Sequence, residues 1–174
     1  TAAGGTPTAA DLGLNVTGGV LQVVQSHLTA PLSNNSVSWS NLTTLSITPT
    51  ASSSKILLMA DIQTAGFNTT NAFRFTKDGS VVGVGDANSN RSRISFGTHE
   101  SSSSSLTYVK YQQKTVGTKY LDNADTTNEI TYAIQWANLN GTSDYANINR
   151  SYSYADDSWD VTSTSSFILM EIAG

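Results

Sequence analysis

The sequence predicts an all-β protein, a two-sheet antiparallel sandwich of the jelly-roll type over residues 20–174, preceded by an extended arm over residues 1–19. Segments with alternating apolar and polar residues recur along the chain, separated by Gly, Asn, Asp and Ser, which is typical of short strands joined by turns. No segment of helical length carries the apolar spacing of an amphipathic helix. Charged residues make up only 13% of the chain, and the abundant Ser, Thr and Asn suit strands and turns better than helices.

The first half of the chain contains the clearest strand signals. The Gly-, Thr- and Ala-rich residues 1–19 lack alternation, which indicates an arm or linker. In residues 36–47, Val37, Trp39, Leu45 and Ile47 share one alternation and are expected to face inward. The tetrapeptide 77–80 places Asp-Gly between two apolar segments, which predicts a tight hairpin because both residues tolerate positive φ. The expected strands here are 20–28, 36–47, 55–63, 73–76 and 81–84.

The second half of the chain alternates less regularly and contains longer polar loops. Residues 101–105 are five consecutive serines, which indicate a surface loop. The best strand is 130–137, where Ile130, Tyr132, Ile134 and Trp136 share one face. The expected strands are 94–96, 106–115, 130–137, 145–148 and 166–172. About ten strands in one chain is close to the number in a two-sheet jelly roll.

Composition excludes several classes of function. The chain has no cysteine, which removes disulfides, Cys-type zinc sites and thiol nucleophiles. Nine Lys and Arg residues are spread along a sequence of net charge −4, whereas a nucleic-acid binder needs a basic excess on one face. No apolar run approaches the ~20 residues of a membrane span. Residues 1–10 are neither charged nor apolar enough for a signal peptide as they stand.

Two strands are apolar on both faces. Leu57 and Met59 lie on the face opposite Ile56 and Leu58. In the last strand, Ile168, Met170 and Ile172 lie on the face opposite Phe167 and Leu169. An exposed face of a sandwich is usually polar. These five residues therefore predict an interface with a neighbouring subunit; the alternative is that loops of the same chain cover both strands.

A ligand site is expected where aromatic and acidic residues alternate near the end of the chain. Tyr152, Tyr154 and Trp159 flank Asp156 and Asp157. Aromatic rings cover the apolar face of a sugar while carboxylates accept hydrogen bonds from its hydroxyls. The alternative is that the rings attach the loop to the sandwich. Asp144 is expected nearby. The loops 88–93, 100–105 and 140–144, with the stretch 152–159, form the predicted contact surface.

No catalytic motif is recognisable. The sequence contains no His-Glu-x-x-His, Gly-x-Ser-x-Gly, P-loop or dinucleotide fingerprint, so we expect no enzymatic activity and no cofactor. No sequence feature places His27 or His99 in a metal site, and we expect none; the alternative is that three copies of His99 meet on a trimer axis and bind a metal. A small glycan hydrolase is the enzymatic alternative, and Asp122 and Asp125 are then the candidate pair of carboxylates.

An ordered set of short motifs resembles the C-terminal domains of marine bacteriophage fibre and structural proteins. The motifs cover most of the chain from Gly18 onward: residues 18–24, 46–49, 53–59, 73–75, 83–87, 120–122, 126–127, 130–132, 148–151 and 168–172. The resemblance implies a jelly roll similar to the tumour-necrosis-factor-like heads, a homotrimer, and a place on the surface of a virion. It implies no particular ligand residues.

The function expected from this resemblance is attachment to the host surface by the tip of a fibre or appendage. The partners are then other copies of the chain, further virion proteins contacted through residues 1–19, and a host glycan or outer-membrane protein. Avidity in a trimer allows each loop site to be weak. The structural alternative is a capsid or collar decoration protein, in which the arm docks the domain and no receptor is bound.

Overall fold

The structure, a computed structural model, describes residues 17–100, 109–141 and 144–174. Within these ranges the chain folds into strands, with one short 3-10 helix at Val109–Tyr111. No helix in the described part could span a membrane. The strands are β1 (Val20–Leu28), β2 (Leu32–Asn34), β3 (Ser40–Ile47), β4 (Lys55–Ala65), β5 (Thr69–Lys77), β6 (Ser80–Val82), β7 (Phe96–Glu100), β8 (Lys114–Asn123), β9 (Ile130–Asn138), β10 (Ala146–Ile148) and β11 (Ser165–Ile172).

The strands form two antiparallel sheets, which confirms the predicted all-β class. In the first sheet β1 pairs with β11 and β11 with β4, while β8 pairs with the other edge of β4. β10 and β2 continue this sheet beyond the ends of β11 and β1. In the second sheet the order is β3, β9, β5, and β6 and β7 share the remaining edge of β5. Each sheet is therefore four strands wide.

The core lies between the sheets and is built from the alternate residues of the central strands. In β4 the residues with even numbers from Ile56 to Ile62 are buried, and in β9 the same holds from Ile130 to Trp136. Phe75 of the second sheet packs against Phe167 of the first, with ring centroids 5.9 Å apart. The shared faces predicted for these strands are confirmed and point inward, because period-two alternation follows directly from strand geometry.

The predicted Asp-Gly hairpin is also confirmed. Asp78 and Gly79 connect β5 to β6, and Lys77 pairs with Ser80. Both loop residues have positive φ, 47° and 82°, as a two-residue turn of type I′ requires. The Asp78 carboxylate also accepts a hydrogen bond of 2.9 Å from the amide of Thr131, so the turn is attached to β9.

The prediction that Val37 and Trp39 face inward is wrong. β3 begins only at Ser40, Val37 is exposed, and the ring of Trp39 lies 4.2 Å from the guanidinium carbon of Arg74 on the outer side of the second sheet. A bulge between Asn41 and Thr43 shifts the register with β9. The extra residue reverses the alternation, which explains why Leu42 packs against the core together with Leu45 and Ile47.

Two strand predictions in the second half need correction. The expected strand 94–96 is instead β7, Phe96–Glu100. The expected strand 106–115 lies partly outside the described residues, and the 3-10 helix lies within it. The strand of this region is β8, Lys114–Asn123. β8 carries Gly117 and only a few apolar residues. Its weak alternation therefore conceals a strand that is held by ten residue pairs with β4.

The outward side of the first sheet carries a contiguous apolar surface, which we call the outer apolar face. Its members are Val23, Leu57, Met59, Leu121, Ile168, Met170 and Ile172, the last three of which alternate with the buried residues of β11. Val23, Met170, Leu57 and Leu121 form one row across four strands, and Ile168 and Met59 pair in the next. Val23 and Leu121 are each 55% exposed, and the other five are half-buried. Four strands at ~4.8 Å and five positions along them at ~3.4 Å make a surface of roughly 19 by 17 Å, about 300 Å².

Candidate functional site

A hollow of about 500 Å³ lies where β2 and β10 extend the first sheet beyond the end of β4. We call it the tyrosine hollow. Asn147 of β10 pairs with Ala65, which is eight residues along β4 from Leu57. The hollow is therefore about 26 Å from the centre of the outer apolar face at ~3.3 Å per residue. It is lined by Ser33, Lys110, Tyr145, Asn147, Arg150, Tyr152 and Ser153.

Hydrogen bonds connect the polar side chains of the hollow. The hydroxyl of Ser33 donates to Oδ1 of Asn147 over 2.8 Å, and Nη1 of Arg150 donates to the Ser33 hydroxyl oxygen over 3.2 Å. The side-chain amide nitrogen Nδ2 of Asn147 donates to the backbone carbonyl of Tyr145 over 3.1 Å. Because β2 and β10 are paired, these side chains are brought together by the sheet rather than by a flexible loop.

Tyr152 is held in place from two sides. Its hydroxyl donates a hydrogen bond of 2.9 Å to Oδ1 of Asp144, and its ring lies 5.6 Å from the ring of Phe67. Burial, together with the hydrogen bond and the charge of Asp144, raises the pKa of the Tyr152 hydroxyl. The hydroxyl therefore remains a protonated donor, and Asp144 acts by positioning the ring. Tyr145 is 45% exposed and offers an accessible aromatic surface.

Asp160 organises the loop that follows Arg150. It accepts hydrogen bonds from the Ser151 hydroxyl over 2.5 Å, from the amide of Tyr154 over 3.0 Å and from the amide of Ala155 over 2.5 Å. Burial alone would raise the pKa of Asp160, but these hydrogen bonds outweigh burial and the pKa is lowered. This carboxylate is therefore a structural element of the loop.

The other residues of the predicted ligand site are placed around this loop. Tyr154 lies under Arg150, with the guanidinium carbon 3.9 Å from its ring centroid. Asp157 accepts hydrogen bonds from the amides of Trp159 and Asp160, over 2.7 and 3.3 Å. Trp159 is 68% exposed. Tyr154, Asp156 and Asp157 line a separate, smaller hollow of about 370 Å³.

The six residues predicted to bind a ligand therefore do not form a single site. Only Tyr152 lines the tyrosine hollow, Asp144 supports it, and Tyr154 contacts it through Arg150. Sequence reasoning missed the hollow's remaining members. Ser33 and Asn147 are 114 positions apart, and no local pattern relates them. Tyr145 and Arg150 carried a weak signal, because both lie beside the predicted residues. Of the predicted contact loops, residues 101–105 and 142–143 lie outside the described part.

The chemistry of the tyrosine hollow suits a polar ring-shaped ligand. Two tyrosine rings offer apolar surface, while a hydroxyl, an amide and a guanidinium offer hydrogen bonds; this combination is typical of small-molecule sites of this volume. Two of the lining residues, Lys110 and Arg150, are cationic and none is acidic. Burial lowers the pKa of Arg150, although nearby Tyr154 and Asp160 act in the opposite direction.

Asp122 and Asp125, the candidate carboxylates of a hydrolase, do not line the tyrosine hollow. Asp122 forms an ion pair of 3.0 Å with Lys77 and accepts a hydrogen bond of 2.7 Å from the hydroxyl of Tyr132. Asp125 occupies a turn with a φ of 59°. Within the described ranges no three His, Asp or Glu side chains are grouped to hold a metal ion.

No protein-family model matches the chain, and no curated protein matches it either.

Proposed function

We propose that this protein is the carbohydrate-binding head of a homotrimeric virion fibre or appendage, and that it attaches the particle to a host-surface glycan. The tyrosine hollow is the observation on which the proposal depends. A saccharide ring stacks on Tyr145 and Tyr152, while its hydroxyls exchange hydrogen bonds with Ser33, Asn147 and Arg150. Aromatic stacking together with oriented polar groups provides both affinity and selectivity for such a ligand.

The sandwich is proposed to be a jelly roll. The order β1, β11, β4, β8 in one sheet faces the order β3, β9, β5 and β6/β7 in the other, so that the chain crosses repeatedly between the sheets. Two four-stranded antiparallel sheets with such crossings are the arrangement expected of this fold. In this arrangement the loops at the ends of the sheets are free to vary, and the tyrosine hollow is built at one such end.

The proposed trimer uses the outer apolar face. The five residues that the sequence singles out, Leu57, Met59, Ile168, Met170 and Ile172, lie on it together, and β1 and β8 add Val23 and Leu121. An apolar patch of a few hundred Å² is about the largest that a typical protein surface carries, and such patches are often functional. The distance of about 26 Å along β4 leaves the hollow accessible when this face is covered.

The virion setting rests on the resemblance to bacteriophage fibre domains. A trimer presents three hollows at once, so weak single sites can give strong attachment of a particle. A purely structural decoration protein would need the outer apolar face but would have no use for a hollow lined by aromatic and cationic side chains. The hollow is therefore the reason for preferring a receptor-binding head.

The binding proposal is tested by titrating the protein with bacterial surface saccharides and following ligand resonances by saturation-transfer NMR. Wild-type protein is expected to bind at least one saccharide, and Tyr145→Ala to weaken that binding about tenfold or more. Trp159→Ala is the matched control, because this exposed ring does not line the hollow. Binding that survives Tyr145→Ala unchanged, or no saccharide binding by the wild type, would overturn the proposal.

The trimer is tested separately by light scattering. The expected mass is about 55 kDa, three times the 18.4 kDa of the chain. The double variant Leu57→Lys/Met170→Lys places two charges in one row of the outer apolar face and is expected to give monomers. Val81→Lys, an exposed apolar residue on the other sheet, is the control and should leave the mass unchanged. A wild-type mass near 18 kDa at every concentration would refute the trimer.

A further inference from the structure

Three arginines that are distant in sequence meet on the outer side of the second sheet. Arg74 of β5 and Arg91 and Arg93 of the loop before β7 line a hollow of about 400 Å³, together with Trp39 and Val81. We call it the arginine hollow. The cations that are spread along the sequence are therefore concentrated in space, and three of the chain's nine Lys and Arg residues share this one depression.

Each guanidinium is held by a hydrogen bond that leaves other donors available. Nε of Arg74 donates to Oε1 of Gln135 over 2.9 Å. In the loop, Arg91 Nη1 donates to Oδ1 of Asn88 over 2.8 Å, and Arg93 Nε donates to the carbonyl of Gly85 over 2.7 Å. An arginine has five N–H donors, so most remain free for a ligand. Groups that are already positioned lose less entropy on binding.

Aromatic and aliphatic surface accompanies these charges. The guanidinium of Arg74 lies over the ring of Trp39 at 4.2 Å from its centroid, and Val81 contributes an exposed apolar side chain. Burial lowers the pKa of Arg74, which indicates that this charge has lost part of its hydration. A partly dehydrated guanidinium gains more from an anionic partner than a fully hydrated one.

The arginine hollow has no acidic member to balance its charge. In the part of the chain that the structure describes, the two ion pairs to carboxylates use Lys77 and Lys114. Five further cations line the two hollows, Arg74, Arg91 and Arg93 here and Lys110 and Arg150 in the tyrosine hollow. In a chain of net charge −4, three guanidinium groups in a depression that no carboxylate lines favour ligands that carry negative charge.

We infer that the arginine hollow is a second saccharide site, which binds the anionic substituents of an acidic polysaccharide: uronate carboxylates, or phosphate or sulfate esters. The three guanidinium groups bind the oxyanion, and Trp39 and Val81 contact the apolar side of the sugar ring. Arginine suits this role because its planar fork of donors matches two oxygens of one oxyanion. The assignment of a saccharide as the carrier rests on the proposed function, whereas the preference for an oxyanion rests on the arginines alone.

The first experiment addresses the oxyanion without any polysaccharide. Glucuronate, methyl phosphate and methyl sulfate are titrated into the protein at constant ionic strength, and the Nε–Hε resonances of the arginines are followed by NMR. The resonances of Arg91 and Arg93 are expected to shift in a saturable manner with at least one of these anions, and with glucose not at all. Shifts that are equal for chloride and for all three oxyanions would overturn the inference.

The second experiment compares an alginate oligosaccharide, a sulfated oligosaccharide, neutral dextran and single-stranded DNA by calorimetry. Arg91→Gln/Arg93→Gln is expected to weaken binding of the preferred acidic oligosaccharide about tenfold or more. Lys55→Gln/Lys119→Gln removes the same charge from the other sheet and should have little effect. Arg91→Lys/Arg93→Lys keeps the positive charge but removes the planar arrangement of N–H donors, and it should bind the oligosaccharide more weakly than wild type.

The outcomes separate this inference from the proposed function. Saccharide binding that depends on Tyr145 but not on Arg91 and Arg93 would overturn the second site and leave the first proposal intact. Oxyanion shifts at these arginines without binding of any saccharide would refute the proposed function and the saccharide carrier together. Binding of DNA that exceeds that of every acidic oligosaccharide and disappears in Arg91→Gln/Arg93→Gln would identify a nucleic acid instead and would also overturn the inference.

Discussion

Replacing Glu171 by Gln should destabilise the fold strongly and in a pH-dependent way. Glu171 is fully buried at the end of β11. Its Oε1 accepts hydrogen bonds from the amide and the hydroxyl of Thr50, each over 2.7 Å, and its Oε2 accepts one from Nε2 of Gln22 over 2.6 Å. The carboxylate therefore joins β11 to β1 and to the turn before β4. A glutamine would direct its NH₂ group at one of these donors.

The size of the effect follows from the pKa of Glu171. Burial alone would raise this pKa, but the hydrogen bonds from Gln22 and Thr50 outweigh burial and lower it from 4.5 to about 2. This difference corresponds to about 3 kcal/mol of folding free energy. Because the folded-state pKa is below the unfolded one, the stabilisation is complete above pH 4.5 and is lost as the pH falls toward 2.

Urea denaturation followed by circular dichroism at fixed protein concentration measures this contribution. At pH 7 the free energy of unfolding of Glu171→Gln should be about 3 kcal/mol below that of the wild type, which corresponds to a melting temperature about 6–12 °C lower. Near pH 2.5 the two proteins should differ much less. Glu129→Gln, which neutralises an exposed carboxylate, should stay within ~0.5 kcal/mol of wild type. Equal destabilisation of Glu171→Gln at both pH values would show that the ionised carboxylate does not stabilise the fold.

Three further substitutions test the packing. Gly117→Ala should lower the free energy of unfolding by about 1–3 kcal/mol, because its Cβ would clash with the carbonyl of Ala60. Gly85→Ala is the control, because its Cβ would enter open space. Thermal melts of both variants measure the difference. Tyr132→Phe should cost about 1–3 kcal/mol in urea denaturation because the carboxylate of Asp122 loses its hydrogen bond; an unchanged midpoint would contradict this. Asp160→Asn should accelerate proteolysis within residues 151–160, and an unaltered cleavage rate would show that Asp160 does not hold the loop.

The two hollows and the outer apolar face occupy different parts of the sandwich. The outer apolar face covers the first sheet near the start of β4, the tyrosine hollow lies beyond the end of β4, and the arginine hollow lies on the second sheet. Variants of one surface can therefore be designed without touching another. Substitutions more than 7–10 Å apart usually have additive effects, which makes combinations of these variants interpretable.

Much of the fold could be predicted because alternation is a local property. The inward faces of β4 and β9 and the Asp78-Gly79 hairpin follow from side chains that are neighbours in sequence. The same alternation singled out Leu57 and Met170, which the sheet then places side by side. Alternation gave wrong predictions at two irregular positions. The bulge at Asn41 places Trp39 on the outer side of the sheet, and Gly117 within β8 obscures the strand that carries Leu121.

The candidate sites depended on tertiary structure to a much greater degree. Aromatic and acidic residues are visibly concentrated at 152–160 in the sequence, but most of those acids stabilise the loop, as Asp160 does. Only the pairing of β2 with β10 brings Ser33 to Asn147, and only the packing outside the second sheet brings Arg74 to Arg91. Periodicity reports the environment of one strand, whereas a binding site is formed by side chains from strands whose pairing is set by long-range contacts.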